Sequence, residues 1–475
     1  MTATTHTLAG IAPRSTNRWL ALSVLALAQF LVVLDASIVN IALPDLGRAL
    51  GLDPALLSWV ITAYVLPFGG LLMLGGRLAD RYGHRTVFLI GVAGFVAASL
   101  AAGLATNGTM LLAARAVQGA SAALLAPGAL SLLMQLFATG DGRDKALGIW
   151  GAVAGLGSVA GVLLGGVLTA SLGWAAIFFI NVPVGLVVIL VIPRLIARDR
   201  IGAVQPALDL PGAATVTGGL VALVAGLSLV LDQGFLAPTT LGLFGAGISL
   251  LVAFVLIELR APAPLVDFRI LRKGGVAVGN LTMLLIGGAT TGLFFVLSLF
   301  MQDVLGYDAL TAGLTQVPLA FALVLAAGLA PKLVGRFNSR PALSGSLLVL
   351  AGGLAWLTLA PVGADFVLHL LGPSLVIGLG LGVAFVAGTE LAVSGVTEAD
   401  AGLASGLVNT SQQIGAATGL AAIYTVSTAR SLDLVAAGTT QLDALGAGHA
   451  AGFLTAAGFA LAGAVLTLLV PKGKA

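Results

Sequence analysis

Two charged residues stand inside apolar runs where lipid or packed helix would be the surroundings. Asp35 lies in the run 19–41 and Arg115 in the run 109–135. At about 1.5 Å per helical residue, Asp35 lies ~24 Å above the face where its run begins, and Arg115, entering from the opposite face, lies ~21 Å above that same face. A charge at such depth costs at least ~2.5–3.5 kcal/mol, which makes each a functional candidate by default. Opposite charges at one depth should meet, because neither is stable there alone. The chemistry this permits is an ion pair that a proton can open, with Arg115 competing with the proton for Asp35. Pro44 and Asp45 mark the expected end of that first helix, placing Asp35 within it. The competing readings are a hydrated acid at the helix mouth and a purely structural salt bridge. Gln118 and Gly119 share the Arg115 face at i+3 and i+4. Gly119 admits a close neighbour, and Gln118 either lines a cavity or bonds to a helix.

Other polar groups are sparser. Asn40, Asn280, Asn409, Gln412 and Gln413 are candidate cavity residues. Glu390 follows Gly388 and Thr389 inside an apolar run and is a possible second acid, whereas Asp232, Glu258 and Asp303 fall near helix ends and read as interfacial. The decapeptide from Gly76 to Arg85 gathers Arg77, Asp80, Arg81 and Arg85 around Gly83, which suits a tight turn. There Asp80 can pair with Arg85 and face the N-terminus of another helix. Gly157, Gly161, Gly165 and Gly166 put small residues on one helix face, permitting close packing in lipid. No P-loop motif appears. The four histidines are scattered, there is no cysteine, and nothing in the sequence points to a metal site or to an enzyme's nucleophile, base or ligand cluster.

The elements that must hold these residues follow from composition. Of 475 residues, 59% are apolar and 9% charged, and mean hydropathy is +1.09. Ordinary soluble chains carry roughly 25% charged residues, so this chain cannot cover a water-facing surface. Net charge of +3 is too small to argue for nucleic acid. The spacing predicts an all-α membrane protein with fourteen spans, near 19–41, 55–75, 86–105, 109–135, 146–170, 175–195, 209–231, 238–258, 276–301, 312–334, 341–361, 366–391, 404–427 and 449–470. With both termini in the cytoplasm, only Arg48 and Arg430 of the 22 basic residues fall outside and Arg115 within a span. That asymmetry is the positive-inside pattern. The segment Pro331 to Arg340 repeats Gly76 to Arg85 in register, eight spans later, with Leu333 on Leu78 and Phe337 on Tyr82. This organisation predicts a six-helix bundle over 1–200, a two-helix insert over 201–260 and a second six-helix bundle over 261–475, the repeat arrangement of secondary transporters.

These motifs resemble the major facilitator superfamily, and within it the fourteen-span drug:proton antiporters. Gly76 to Arg85 is similar to the loop 2–3 pattern, Leu34 to Pro44 to the span-one signature, Arg115-Ala-Val-Gln118-Gly119 to the span-four pattern, and Trp174 with Phe178 to Gly185 to the span-six signature. The span-five antiporter motif departs at Val162, where that family has proline, and the second loop has Gly335 in place of the aspartate. The resemblance implies a bacterial inner-membrane protein, monomeric and without cofactor, driven by the proton motive force. It would export small lipophilic or cationic compounds from the cytoplasm or inner leaflet by alternating access. Its partners are then the substrate, protons and the bilayer. Val162 keeps a symporter or uncoupled transporter of a metabolite open as the alternative. A membrane enzyme or sensor fits less well.

Overall fold

The computed structural model describes residues 17–52, 54–137, 141–197, 208–261, 264–266, 268–272, 275–396 and 401–469. Arg14, Arg198, Arg200, Lys273, Lys472 and Lys474, used above to orient the chain, lie outside them. Among the described residues the regular structure is helical throughout. The helices are α1 Arg18–Leu50, α2 Pro54–Tyr82, α3 His84–Gly103, α4 Gly108–Leu136, α5 Asp141–Leu172, α6 Ala176–Phe179 and α7 Asn181–Leu195, then α8 Leu210–Gln233 and α9 Pro238–Glu258. They continue with α10 Val276–Leu299, α11 Ala309–Phe337, α12 Ser339–Leu357, α13 Leu371–Ala392, α14 Ala401–Ala436 and α15 Gln441–Leu469.

Twelve of the described helical segments are long and apolar enough to cross a membrane, counting α6 and α7 as one segment, 176–195. Two of the fourteen expected spans are absent from that set. Within α5 the described apolar stretch is the short Val159–Leu172, and α14, though 36 residues long, carries Asn409, Gln412, Gln413 and Arg430. The break between α6 and α7 has a local cause: Pro183 brings no N–H to the carbonyl four residues earlier. The last two helices run past their expected ends at 427 and 449, so that α14 and α15 leave only a short connection.

The end of α1 differs from the sequence reading. The helix runs through Pro44 to Leu50 and stops at Gly51, which takes the left-handed conformation (φ 59°). A proline inside a helix orphans the carbonyl at i−4, here that of Asn40. Ser298 on α10 supplies the missing donor, its Oγ 2.6 Å from Asn40 O, and Gln302 Nε2 donates to Ile41 O at 2.9 Å. The helix tolerates Pro44 because a distant part of the chain satisfies it, a long-range contact no local rule predicts. Ser298 is fully buried. Ser298→Ala should therefore strand a buried acceptor, at a cost of about 1–3 kcal/mol. Thermal unfolding in detergent reads it as a lower Tm.

Helices α1 to α7 pack among themselves, as do α10 to α15, and α8 and α9 form a pair. Helix α8 lies against α2 and α14, joined by Trp59 Nε1 donating to Ser228 Oγ (3.1 Å) and Thr425 Oγ1 to Leu227 O (3.3 Å). Helix α9 sits outermost, with little of its surface covered by protein. The two large groups also touch directly along α5–α11, α2–α14 and α1–α10.

Candidate functional site

Four helices meet at Asp35, which is completely buried. Helix α1 brings the acid, α4 brings Arg115 and Gln118 one turn apart, α3 brings Ser99, and α7 begins with Asn181. Arg115 Nη1 donates to Asp35 Oδ2 at 2.6 Å and to Gln118 Oε1 at 2.8 Å. On the other oxygen, Asp35 Oδ1 accepts from Gln118 Nε2 at 2.7 Å and from Asn181 Nδ2 at 2.8 Å. Both amides also donate to Ser99 Oγ, at 2.8 and 3.3 Å. Arg115, Gln118, Asn181 and Ser99 are at most 1% exposed.

The arginine is held from two further sides. Its Nε donates to Val60 O at 3.0 Å, and its guanidinium carbon lies 4.4 Å from the Tyr64 ring centre and 5.8 Å from that of Phe178. A stacked, forked guanidinium is a role for which lysine would not substitute. The close approach of α2 depends on Gly119: a Cβ there would lie 2.0 Å from Tyr64 O, and backbone cannot yield as a side chain can. Gly119→Ala should force α2 from α4 at a cost of about 1–3 kcal/mol. A depressed Tm for Gly119→Ala in detergent checks this.

A carboxylate with three donors, one of them cationic, is a satisfied buried anion, and breaking the ion pair from one side alone would leave an uncompensated charge. The Tyr64 hydroxyl and Asn181 Oδ1 are buried with no hydrogen-bond partner, so the cluster has polar capacity that this arrangement does not use. What the cluster can do chemically is exchange one arrangement of charge for another: a proton on Asp35 cancels the attraction that holds Arg115.

The structure places Asp35 against Arg115, at the matched depths read from the sequence, and adds Asn181, Ser99 and Tyr64 to them. Gln118, a cavity candidate above, is fully buried and bonded inside the cluster. Asn181 was quoted only as part of the span-six signature; its signal was an amide at a proline-broken point in an apolar run. Ser99 and Tyr64 carried no signal beyond lying in apolar helices.

The other candidates are dispersed. Asn40 is buried and its amide bonds back to Ala36 O and Ser37 O. Asn280 is buried between α10 and α14, accepting from Ser411 Oγ at 3.2 Å. Asn409 is exposed, and Gln412 and Gln413 are half-buried on α14, with Gln413 Cβ against Gly69. Glu390 is exposed at the end of α13 and accepts from Ser339 Oγ at 2.9 Å, so it is an end-of-helix acid rather than a mid-span one. Asp303 is exposed, and Glu258 is the last residue of α9, at a helix end as expected, yet only 3% exposed.

In the basic loop, Gly83 takes φ 93°, as the tight turn requires. Within the loop, Asp80 Oδ1 lies 3.7 Å from His84 Nε2, one helical turn on. Arg85 donates to Pro193 O, and Arg77 reaches out of the loop to Pro264 O at 2.8 Å. Gly76 has open space around it. The glycine face of α5 splits between two neighbours. Gly157, Gly161 and Gly165 lie on α1, beside Val33, Ser37 and Ile38, whereas Gly166 faces Ala309 and Leu310 of α11. Val162, in place of the family's proline, leaves α5 unbroken, and its carbonyl abuts Gly313.

This helix set with one charged pair at its core is matched over residues 25–420 by the model of the Major Facilitator Superfamily. The chain belongs to this superfamily. It is a multi-pass membrane transporter rather than an enzyme, and its relatives are transporters for antibiotic export and resistance. A cephamycin export protein of Amycolatopsis lactamdurans is 42% identical over 95% of this chain and 92% of that one. A puromycin resistance protein of Streptomyces alboniger is 39% identical over 96% and 90%. Among solved structures, an auto-inhibited peptide transporter of the POT family matches 96% of this chain and 97% of that one, with TM-score 0.68 at 15% identity, a likeness of fold alone.

Proposed function

We propose that this superfamily member exports small lipophilic or cationic compounds, antibiotics among them, from the cytoplasm or inner leaflet in exchange for protons. The observation that carries the reading is the sealed cluster around Asp35. A buried acid whose countercharge is one arginine is a two-state element: ionised, it clasps Arg115; protonated, it releases it, and α1 and α4 can then shift against each other. The export and resistance transporters related to this chain supply the direction and the substrate class. A charge crossing the membrane potential is worth ~2.3 kcal/mol per 100 mV, enough to drive such a cycle.

The same reading completes the membrane topology. Helices α5 and α14 cross as the remaining two of fourteen spans, because each packs lengthwise on a spanning partner, α1 and α10 respectively. Residues 1–200 and 261–475 then form the two six-helix bundles and 201–260 the insert. The chain works as a monomer in the bacterial inner membrane, with both termini in the cytoplasm and no cofactor beyond the proton motive force.

The test uses purified protein in proteoliposomes challenged with a panel of lipophilic antibiotics and dyes. Proton release on compound binding, lost in Asp35→Asn, is the expected result. Release that is unchanged in Asp35→Asn removes Asp35 from the cycle. The unbroken helix at Val162 favours symport or uncoupled transport as the second reading. Transport polarity in everted vesicles separates the two: accumulation inside marks export.

A further inference from the structure

Two amides hold the same oxygen of Asp35, and they are not equivalent. Gln118 Nε2 and Asn181 Nδ2 both donate to Asp35 Oδ1, at 2.7 and 2.8 Å, and both donate to Ser99 Oγ, at 2.8 and 3.3 Å. Their other ends differ. Gln118 Oε1 accepts from Arg115 Nη1 at 2.8 Å, whereas Asn181 Oδ1 is buried with no hydrogen-bond partner among the described residues. Turning Gln118 over would set its NH2 group against the guanidinium, so Gln118 is locked as a donor. Turning Asn181 over breaks no bond at its far end. The terminal torsion of an asparagine has two broad wells half a turn apart, and its oxygen and nitrogen exchange places within nearly the same volume.

The difference matters when Asp35 takes a proton, and here the inference rests on the reading of Asp35 as the transport acid. Asp35 Oδ2 faces Arg115 Nη1 at 2.6 Å, and a guanidinium donates but cannot accept, so the proton belongs on Oδ1. The new O–H then needs an acceptor, since a buried donor without one carries its full desolvation cost. As they stand, both amides present only N–H groups to it. The titratable and charged groups facing Asp35 are Arg115 on α4 and, behind its guanidinium, Tyr64 on α2. Elsewhere α1, α2, α3, α5, α7 and α11 carry charged residues only near their ends, and α6 and α10 carry none.

We propose that Asn181 is the proton-positioning residue of this site: when Asp35 takes a proton on Oδ1, the Asn181 amide turns over and its own oxygen accepts that proton in a hydrogen bond. One proton joins one carboxylate, and no other covalent bond changes. In the turned state Asn181 Oδ1 accepts from Asp35 and from the Ser99 hydroxyl, which has a proton of its own to give. The amide therefore makes two hydrogen bonds in either state, as donor to the anion and as acceptor from the acid. Arg115 keeps Gln118 Oε1, Val60 O and the face of the Tyr64 ring throughout, none of which depends on the proton. Loading the proton then needs rotation about one side-chain bond and no helix movement. The shift of α1 against α4 follows as a separate step.

Infrared difference spectroscopy of the purified full-length protein, high pH against low, reads both halves of the step. Lowering the pH should bring up a carboxylic C=O band that is missing in Asp35→Asn. In protein carrying isotope-labelled asparagine, the Asn181 side-chain carbonyl band, identified by its loss in Asn181→Leu, should move to lower wavenumber with the same midpoint, because its oxygen passes from no partner to two. In Asn181→Leu the acid band should lie at higher wavenumber, its O–H having lost its acceptor. Asp35 keeps Gln118 and Arg115 in that variant, so the ion pair survives it. An acid band that rises while the Asn181 band stays still overturns the proposal, and so does an acid band whose position is the same in Asn181→Leu. If no acid band belongs to Asp35 at any pH, the transport acid itself is misassigned, and this inference falls with it.

Discussion

Proton release on substrate addition should vanish in Asp35→Asn and should not return when Arg115→Gln is added. The two singles and the double separate a working switch from a brace. Asp35→Asn leaves Arg115 buried with its countercharge gone, and Arg115→Gln leaves Asp35 in the same position; each should destabilise the fold by about 3–5 kcal/mol. The double variant removes both charges, while Gln118 and Asn181 keep polar partners at hand. Much of the lost Tm should therefore come back in the double. Proton-coupled transport should not, because no titratable group remains on α1 at that depth. A double variant that regains both stability and coupled transport would reduce the pair to a structural salt bridge. Measurement needs Tm in detergent beside substrate-driven proton flux in proteoliposomes, from the same preparations.

Alanine at Gly166 or Gly313 should hold the outer side of the protein open. A Cβ at Gly166 would lie 2.7 Å from Ala309 O, and one at Gly313 2.8 Å from Val162 O. Both obstacles are backbone, so the helices must separate instead. Overpacking of this kind costs about 1–3 kcal/mol, and it is charged only to the state in which α5 and α11 touch. By the relation of tenfold per 1.4 kcal/mol, the open state should gain roughly five- to hundredfold in population. A single cysteine at Leu310, in this cysteine-free chain, makes the shift measurable: an impermeant maleimide added outside should label it faster by that factor. Transport should fall while substrate binding is retained. Labelling that is unchanged in both variants would mean the seam does not part during the cycle.

Much of this site was legible in the sequence. A charge in an apolar helix has few reasons to exist, so Asp35 and Arg115 stood out by type, and counting 1.5 Å per residue put them at one level. The loop turn at Gly83 was equally readable, because a tight turn next to clustered charge needs a residue that tolerates positive φ. The helical class followed from composition, since lipid demands that backbone groups be satisfied within the segment.

Other features belong to tertiary structure, and each for a stated cause. Gln118 and Asn181 are neutral amides, which suit a cavity wall and a buried network equally; only the meeting of α4 and α7 at Asp35 decided between them. Pro44 looked like a stop because local rules count its missing N–H as a loss, and Ser298 and Gln302, more than two hundred residues away, make good that loss. Glu258 read as interfacial from its place at a helix end. Its burial depends on the fold of the connecting segment around Val266, and on Asp209 across the hairpin. The sequence by itself determined which residues could not be at ease in lipid. The tertiary structure decided which partners relieve them, because a hydrogen bond is set by the positions of two groups in space and not by either one's position along the chain.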